Sequence, residues 1–216
     1  MAYEKLLNEI TAVTTLKYFW RGYHEGYVKW ESPDWFNKKD DIGIEVSQAL
    51  LPRDGKEESF LETYLGRPKE DLPEEAFLYF GSRLYFYNNR FWALLDDGEN
   101  DKDVEEKIIT RFQAKLKKLN TNYRLCATNA LYLFAHAEIK RSAAKRIEYL
   151  MAGIAEEEAH RFDIVFLDCV SVLYLIERKK NGLSTVAIPG KARRFLNAEA
   201  EKTRVDFDDA IGTPFL

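Results

Sequence analysis

The sequence predicts a mixed α/β (α+β) protein in which helices flank a central mixed sheet. Segments with apolar residues at three- and four-residue steps alternate along the chain with short β-branched or aromatic runs. Their order is helix, strands, helix, strand, helix, strands, which favours a mixed sheet with helices on its faces. A length of 216 residues and a hydrophobic content of 46% suit one domain with a sizeable core.

Composition excludes several classes of protein. The hydrophobic content argues against disorder, and no apolar run reaches the ~18 residues of a membrane span. The N-terminal residues lack the pattern of a secretory signal. Cys126 and Cys169 lie in apolar runs and are expected to be buried free thiols, which favours a cytoplasmic location. Because no linker or repeat is evident, we predict a single domain over 1–216, with a core over 1–177 and a C-terminal strand and tail over 178–216.

The first third of the chain contains one clear helix and one clear strand. Residues 4–20 carry apolar side chains at helical spacing. A turn-rich stretch follows, and the β-branched run at 41–47 is typical of a central strand. Prolines and glycines interrupt residues 52–75, so a loop is predicted there, with one short helix over 57–65.

A hairpin and a long helix come next. The aromatic runs 84–87 and 90–95 flank Asn88 and Asn89, and a two-residue turn is expected because asparagine tolerates positive φ. Residues 103–120 place their apolar side chains on one face, which predicts an amphipathic helix.

The remaining elements complete the predicted sheet. The apolar run 125–137 indicates a buried strand, and 142–159 indicates a helix rich in Ala and Glu. Residues 162–177 form a long strand or a pair of strands, and 182–189 is expected to pair with their end. The tail from residue 190 is charged and gives no clear pattern.

The most informative stretch for function lies around the 41–47 strand. Asp34 follows Pro33 just before a strand, and Glu45 stands between Ile44 and Val46 inside the apolar run. Neighbours in a strand point to opposite faces, and a carboxylate there is costly unless it is paired, exposed or bound to a metal. Two carboxylates brought together by a bent hairpin would bind Mg²⁺, which polarises a phosphate and activates water. The alternative is an edge strand whose Glu45 faces solvent.

The letters PDW followed by GIEVS resemble the motif of the PD-(D/E)XK nuclease superfamily. Asp34 matches its first position and Glu45 its second, whereas Ser47 stands where the motif has lysine. The motif covers residues 31–50, and it also resembles uncharacterised bacterial proteins with a lysine-bearing downstream helix. The resemblance implies a restriction-endonuclease-like fold that hydrolyses DNA phosphodiester bonds. It also implies that Mg²⁺ or Mn²⁺ is held by Asp34, Glu45 and the carbonyl of Val46.

The missing lysine has a candidate replacement on the predicted helix 103–120. At 100° per residue, Lys115 falls between Val104 and Ile108 on the apolar face. It either extends its ammonium past the helix edge or reaches acidic groups at the strand ends. The resemblance implies the second role, in which Lys115 orients the attacking water. It also implies that Glu9 of the first helix lies near the metal; the alternative is an ordinary glutamate at the helix boundary.

Two functions stay open. The first is a metal-dependent DNA nuclease with Asp34, Glu45, Lys115 and Glu9 as catalytic residues. The second is a non-catalytic protein with the nuclease fold, acting as an interaction or nucleic-acid-binding module. Ser47 and the formal net charge of -4 favour the second, because proteins that coat nucleic acid are usually basic. DNA is the partner expected from the first, and no membrane partner is expected. An active site requires both carboxylates near one cation, with the Lys115 amine in the same cleft.

Overall fold

The computed structural model describes residues 2–49, 59–60, 63–81, 84–94, 101–135, 137–178 and 182–212. The helices are α1 (Ala2–Phe19), α2 (Glu74–Phe80), α3 (Asp101–Leu119), α4 (Arg141–Glu156) and α5 (Gly190–Gly212). The strands are β1 (Tyr27–Lys29), β2 (Trp35–Asn37), β3 (Ile42–Gln48), β4 (Leu84–Tyr87), β5 (Arg90–Leu94), β6 (Thr128–Phe134), β7 (Ile164–Asp168), β8 (Val172–Glu177) and β9 (Gly182–Ala187).

The chain divides into two compact units. The larger consists of Met1–Ala49 and Ile108–Leu216, and the smaller of Leu50–Lys107. Helix α3 begins in the smaller unit and ends in the larger one. The single domain expected over 1–216 therefore stays a prediction.

The larger unit contains a seven-stranded mixed sheet in the order β1-β2-β3-β6-β7-β8-β9. The three central strands β3, β6 and β7 run parallel, and an antiparallel pair of strands extends the sheet on each side. Parallel neighbours need crossover connections, and helices α3 and α4 lie within the two crossovers. The predicted fold class, a mixed α/β protein with helices around a mixed sheet, is confirmed.

Both faces of this sheet carry apolar side chains. One face packs on α1 and α5 through a buried cluster that includes Ile44, Val46, Leu16 and Leu196. Helix α3 lies on the other face, where Phe112 packs against Phe162, the residue shortly before β7. The strands are therefore buried on both sides, as is usual for parallel sheets inside α/β proteins.

An ion pair holds the start of α5 to the end of β7. Two nitrogens of the Arg193 guanidinium contact the two oxygens of Asp168, at 2.8 and 2.5 Å. The hydroxyl of Tyr132, on the adjacent strand, donates to the same carboxylate at 2.5 Å. Such bidentate pairs fix the orientation of the arginine side chain as well as its position. They hold α5, which lies in the tail where no clear pattern was found, at this end of the sheet.

The smaller unit has an aromatic core. Strands β4 and β5 form an antiparallel hairpin whose turn residues Asn88 and Asn89 have φ of 48° and 58°, as the sequence predicted. Phe60, Phe80 and Phe91 pack together in its buried cluster.

Most predicted elements are confirmed, with small shifts at their ends. The helix predicted over 4–20 is α1, and the run 162–177 is the pair β7 and β8. Strands β1 and β2, in and after the turn-rich stretch, were not predicted, and neither were α5 and α2, which begins inside the loop predicted over 52–75. The short helix predicted over 57–65 lies partly outside the described residues. No helix in the described part of the chain combines the length and apolar character that crossing a membrane requires.

Candidate active site

The turn before β2 holds Asp34 against β3. The Asp34 side chain is buried, and its Oδ2 accepts a hydrogen bond from the backbone N–H of Val46 at 2.8 Å. Pro33 packs directly over Gly43 of β3. A Cβ at Gly43 would lie 2.6 Å from Pro33 Cγ and 2.8 Å from Cys126 Sγ, so only glycine allows this close approach. The glycine therefore helps to place the Asp34 carboxylate.

The Val46 carbonyl points to the same edge of β3 as Asp34. The pairing of β2 with β3 begins at Trp35, opposite Ile44. Beyond Ile44, β3 no longer pairs with β2. There the Val46 N–H donates its hydrogen bond to the Asp34 carboxylate instead. In a strand, the N–H and C=O of one residue point to the same edge. Asp34 and the Val46 carbonyl, two of the three predicted metal ligands, are thus on one edge.

Glu45 is buried and paired with Lys115. Its Oε1 contacts the Lys115 ammonium, and the two side chains are 5% and 12% exposed. Its Oε2 is buried and has no hydrogen-bond partner among the described groups, although Tyr123 lies close enough to influence the carboxylate. Burial raises the pKa of Glu45, the negative charge of Asp34 raises it further, and Lys115 lowers it. The prediction that Lys115 turns towards acidic groups is therefore supported by direct contact.

A second contact lies beside this pair on α3 and β3. Arg111 Nε donates to Ser47 Oγ at 2.6 Å. Arg111 and Lys115 are one helical turn apart, and Glu45 and Ser47 are two residues apart on one strand face. Four helix residues rise ~6 Å and two strand residues ~6.6 Å, so the two pairs match. Ser47, which stands where the motif that the sequence resembles has lysine, is thus bonded to an arginine of α3.

Glu9 lies beside Asp34 and shares its cations. The Glu9 side chain is 3% exposed; Lys29 Nζ is 2.7 Å from its Oε2 and Lys5 Nζ is 3.5 Å from its Oε1. The same two ammonium groups are 3.7 Å and 4.0 Å from Asp34 Oδ1. Burial raises the pKa of Glu9; Lys29 opposes this effect, and the charge of Asp34 adds to it. Glu9 is therefore a buried, paired carboxylate beside Asp34, and its predicted position near a metal stays a prediction.

Sequence reasoning missed four members of this cluster: Lys5, Lys29, Arg111 and Tyr123. Two of them had a readable signal, because Lys5 is four residues from Glu9 and Arg111 is four residues from Lys115, each on one helix. Lys29 belongs to β1, which no pattern indicated. Three carboxylates and three lysines thus meet, and Arg111 adds one positive charge, so the cluster has a net charge near +1 when all seven groups are charged.

The oxygen atoms of this cluster fit a hard divalent cation. Glu45 Oε2 has no hydrogen-bond partner among the described residues, and the ammonium groups of Lys29 and Lys5 lie 3.7 Å and 4.0 Å from Asp34 Oδ1. Carboxylate and carbonyl oxygens are the ligands that Mg²⁺ and Mn²⁺ prefer. Within the described residues, no three acidic, histidine or cysteine side chains are arranged to hold one ion. A cation here would use Asp34, Glu45 and the Val46 carbonyl and keep several waters, as Mg²⁺ usually does.

Two basic residues, Arg124 just after α3 and Arg141 at the start of α4, lie towards opposite edges of the sheet. The Arg124 guanidinium lies 4.3 Å from the ring centre of Phe36 on β2, on the same side of the sheet order as Asp34. Arg141 instead bonds the carbonyl of Leu183 on β9, at the opposite edge. Comparison of the chain with protein-family models, curated proteins and solved structures gives no match.

Proposed function

We propose that this protein is a Mg²⁺- or Mn²⁺-dependent DNA nuclease of the restriction-endonuclease-like type. The observation that carries the proposal is the contact between Lys115 and Glu45, two residues 70 positions apart, in one cluster with Asp34. A lysine on α3 thereby reaches the carboxylate beside which the superfamily motif has its own lysine. The resemblance at residues 31–50 and the mixed sheet around β3 agree with this interpretation.

Each residue has a chemical role in this proposal. Asp34, Glu45 and the Val46 carbonyl would hold the cation, which would supply Lewis-acid chemistry at the phosphate and activation of water. The Lys115 ammonium has three donors. One donor holds Glu45, and the others orient the attacking water and offset charge on the phosphate. Glu9 keeps Lys29 close to the Asp34 carboxylate.

A second function is favoured by the charge balance of the same cluster. Glu9, Asp34 and Glu45 each have a lysine ammonium within 4.0 Å. A cluster neutralised in this way also serves as a structural ion-pair network in a non-catalytic module that binds nucleic acid or another partner. This alternative predicts no cleavage under any metal condition.

Cleavage assays separate the two functions. Single-stranded, duplex and flapped DNA are incubated with Mg²⁺ or Mn²⁺, using wild type, Asp34→Asn and Lys115→Met. Lys117→Met is the matched control, because Lys117 is an exposed lysine on the same helix. The nuclease proposal expects activity to fall roughly 10²- to 10⁴-fold in both site variants and to stay unchanged in Lys117→Met. Full activity in Lys115→Met would return that residue to a structural role, and no cleavage by wild type would favour the binding module.

The proposal includes a cytoplasmic location. Cys126 and Cys169 are both free and buried. Burial raises the pKa of the Cys126 thiol to about 11, so it stays protonated and unreactive near neutral pH. Two buried thiols without a disulfide suit a reducing compartment.

A further inference from the structure

We propose that the cavity beside the candidate active site binds one unpaired nucleotide. Its base stacks on the Trp30 indole, and its phosphate lies towards Lys5 and Lys29. The inference rests on the proposed function, since it names the form of nucleic acid that the site takes. That form is a single strand or an unpaired end, rather than an intact duplex.

The cavity is open and adjoins the acidic cluster. Its volume is about 850 Å³, and it is lined by Lys5, Lys29, Trp30, Glu31, Ser32 and Asp34. Sites for small molecules typically have ~300–1,000 Å³, so a nucleotide fits. Because Asp34 belongs to this wall, a phosphate bound here lies next to the predicted metal ligands.

Trp30 presents an aromatic face at the rim of this cavity. The residue is 46% exposed, yet its backbone is fixed: its N–H donates to the Asp34 carbonyl at 2.9 Å, and its carbonyl accepts from Lys29 Nζ at 3.3 Å. Its ring centre lies 5.9 Å from that of buried Phe36. Phe36 therefore supports the indole from one side, while much of its surface stays in solvent. A supported, exposed aromatic ring is what base stacking requires.

The charges around Trp30 orient the ligand. The Lys5 side chain is 71% exposed, and its ammonium lies 3.5 Å from Glu9 Oε1, so it has donors left for a phosphate. Lys29 Nζ already contacts Glu9 Oε2 and the carbonyls of Trp30 and Asp34, so Lys29 contributes its positive charge rather than a free donor. Glu31 lines the same cavity and repels phosphate. The sugar–phosphate chain is therefore placed on the lysine side, and the base on the Trp30 side with Glu31 as a hydrogen-bond acceptor for its edge.

This arrangement selects against paired bases. A base inside a duplex is stacked on both neighbours and exposes no face to a protein ring. A single indole beside the cavity offers a stacking partner only for a base outside the helix. Stacking tolerates any base, so we expect little sequence preference.

The test measures binding without cleavage. Fluorescence anisotropy in EDTA compares labelled dT10, rU10 and a blunt hairpin duplex; EDTA is suitable because the cluster carries a small net positive charge without metal. Variants are Trp30→Ala, Trp30→Phe and Tyr149→Ala, the last as a matched control because Tyr149 is an 80% exposed tyrosine on α4. We expect wild type to prefer dT10 over the hairpin. Trp30→Ala should weaken dT10 binding about 5- to 150-fold, whereas Trp30→Phe and Tyr149→Ala should keep most of it.

The outcomes separate this inference from the proposed function. Equal affinity of wild type for dT10 and the hairpin, no binding of either, or unchanged binding by Trp30→Ala would overturn the inference. Cleavage of the same DNAs with Mn²⁺ is measured in parallel. Cleavage together with unchanged Trp30→Ala binding removes the inference and leaves the nuclease standing. Trp30-dependent binding without cleavage supports the inference and removes the nuclease. The rU10 arm reports whether the sugar is distinguished, and thermal melts check that each variant is folded.

Discussion

Replacing Lys115 by methionine tests the buried ion pair directly. Methionine keeps the unbranched apolar stem and removes the charge. The Glu45 carboxylate, only 5% exposed, then loses the cation that contacts its Oε1. Removing one partner of a buried pair typically costs ~3–5 kcal/mol. Because Glu45 escapes part of this cost by taking up a proton, we expect about 3 kcal/mol at pH 8, which lowers the melting temperature by roughly 6–12 °C.

The pH dependence of this loss has a definite sign. Burial and Asp34 already raise the pKa of Glu45, and Lys115 is the charge that lowers it. In Lys115→Met the folded-state pKa of Glu45 therefore rises further. A carboxyl whose pKa is higher in the folded state loses stability as pH rises above its unfolded value. The variant should be close to wild type near pH 5 and fall behind it as pH increases to 8.

A double-mutant cycle measures the pair itself. Urea unfolding of wild type, Lys115→Met, Glu45→Gln and the double variant is followed by circular dichroism at pH 5 and pH 8. We expect the lysine replacement to cost at least 2 kcal/mol less in the Glu45→Gln background, because no buried charge is then left unpaired. Lys117→Met serves as the control and should change little. An equal cost in both backgrounds, or a cost independent of pH, would refute the argument that Lys115 neutralises Glu45.

Further predictions concern the metal, the position of the lysine and the glycine beneath the turn. Saturating Mn²⁺ should raise the melting temperature of wild type but not of Glu45→Gln. The rise should be larger at pH 8 than at pH 5, since the carboxyls must lose their protons to bind a cation. At a Mn²⁺ concentration of 100 times Kd, the free energy of unfolding increases by ~2.7 kcal/mol. Ser47→Lys added to Lys115→Met should restore part of the lost cleavage, because the ammonium returns beside Glu45. Gly43→Ala should reduce cleavage by displacing Pro33, and with it the Asp34 carboxylate, and a crystal structure of the variant would show whether Pro33 has moved.

The sequence predicted the elements whose signal is local. Helix α3 has five buried apolar residues at helical spacing, and the Asn88-Asn89 hairpin has a specific turn chemistry. Strands β1 and β2 have only three residues each, and their pairing depends on β3 rather than on their own composition. Such short strands carry almost no periodic signal. Helix α5 was missed because its many charges obscure the few buried residues, such as Leu196 and Ala200, that face the sheet.

The contacts of the candidate site also differ in how far local sequence predicts them. Asp34 and Glu45 are eleven positions apart and joined by a hairpin, so their proximity follows from local structure. The contact of Lys115 with Glu45 was predicted as one of two options, because helical angle shows the face of a residue but not its partner. Arg111 and Ser47 are 64 positions apart, and their hydrogen bond depends on how α3 lies along β3. Contacts between residues so far apart in the sequence are decided by tertiary packing.

The matched spacing between α3 and β3 restricts which insertions and deletions this chain tolerates. Two rungs connect helix and strand, Lys115 to Glu45 and Arg111 to Ser47. Loss of one residue of α3 between Arg111 and Lys115 rotates every later side chain of the helix by ~100°. The Lys115 ammonium then no longer reaches Glu45. A change of equal length in the loop after Asn120 leaves both rungs in place. In proteins with the same two contacts, the number of residues between the strand and the lysine should vary freely. The four-residue interval between the arginine and the lysine on the helix should stay constant.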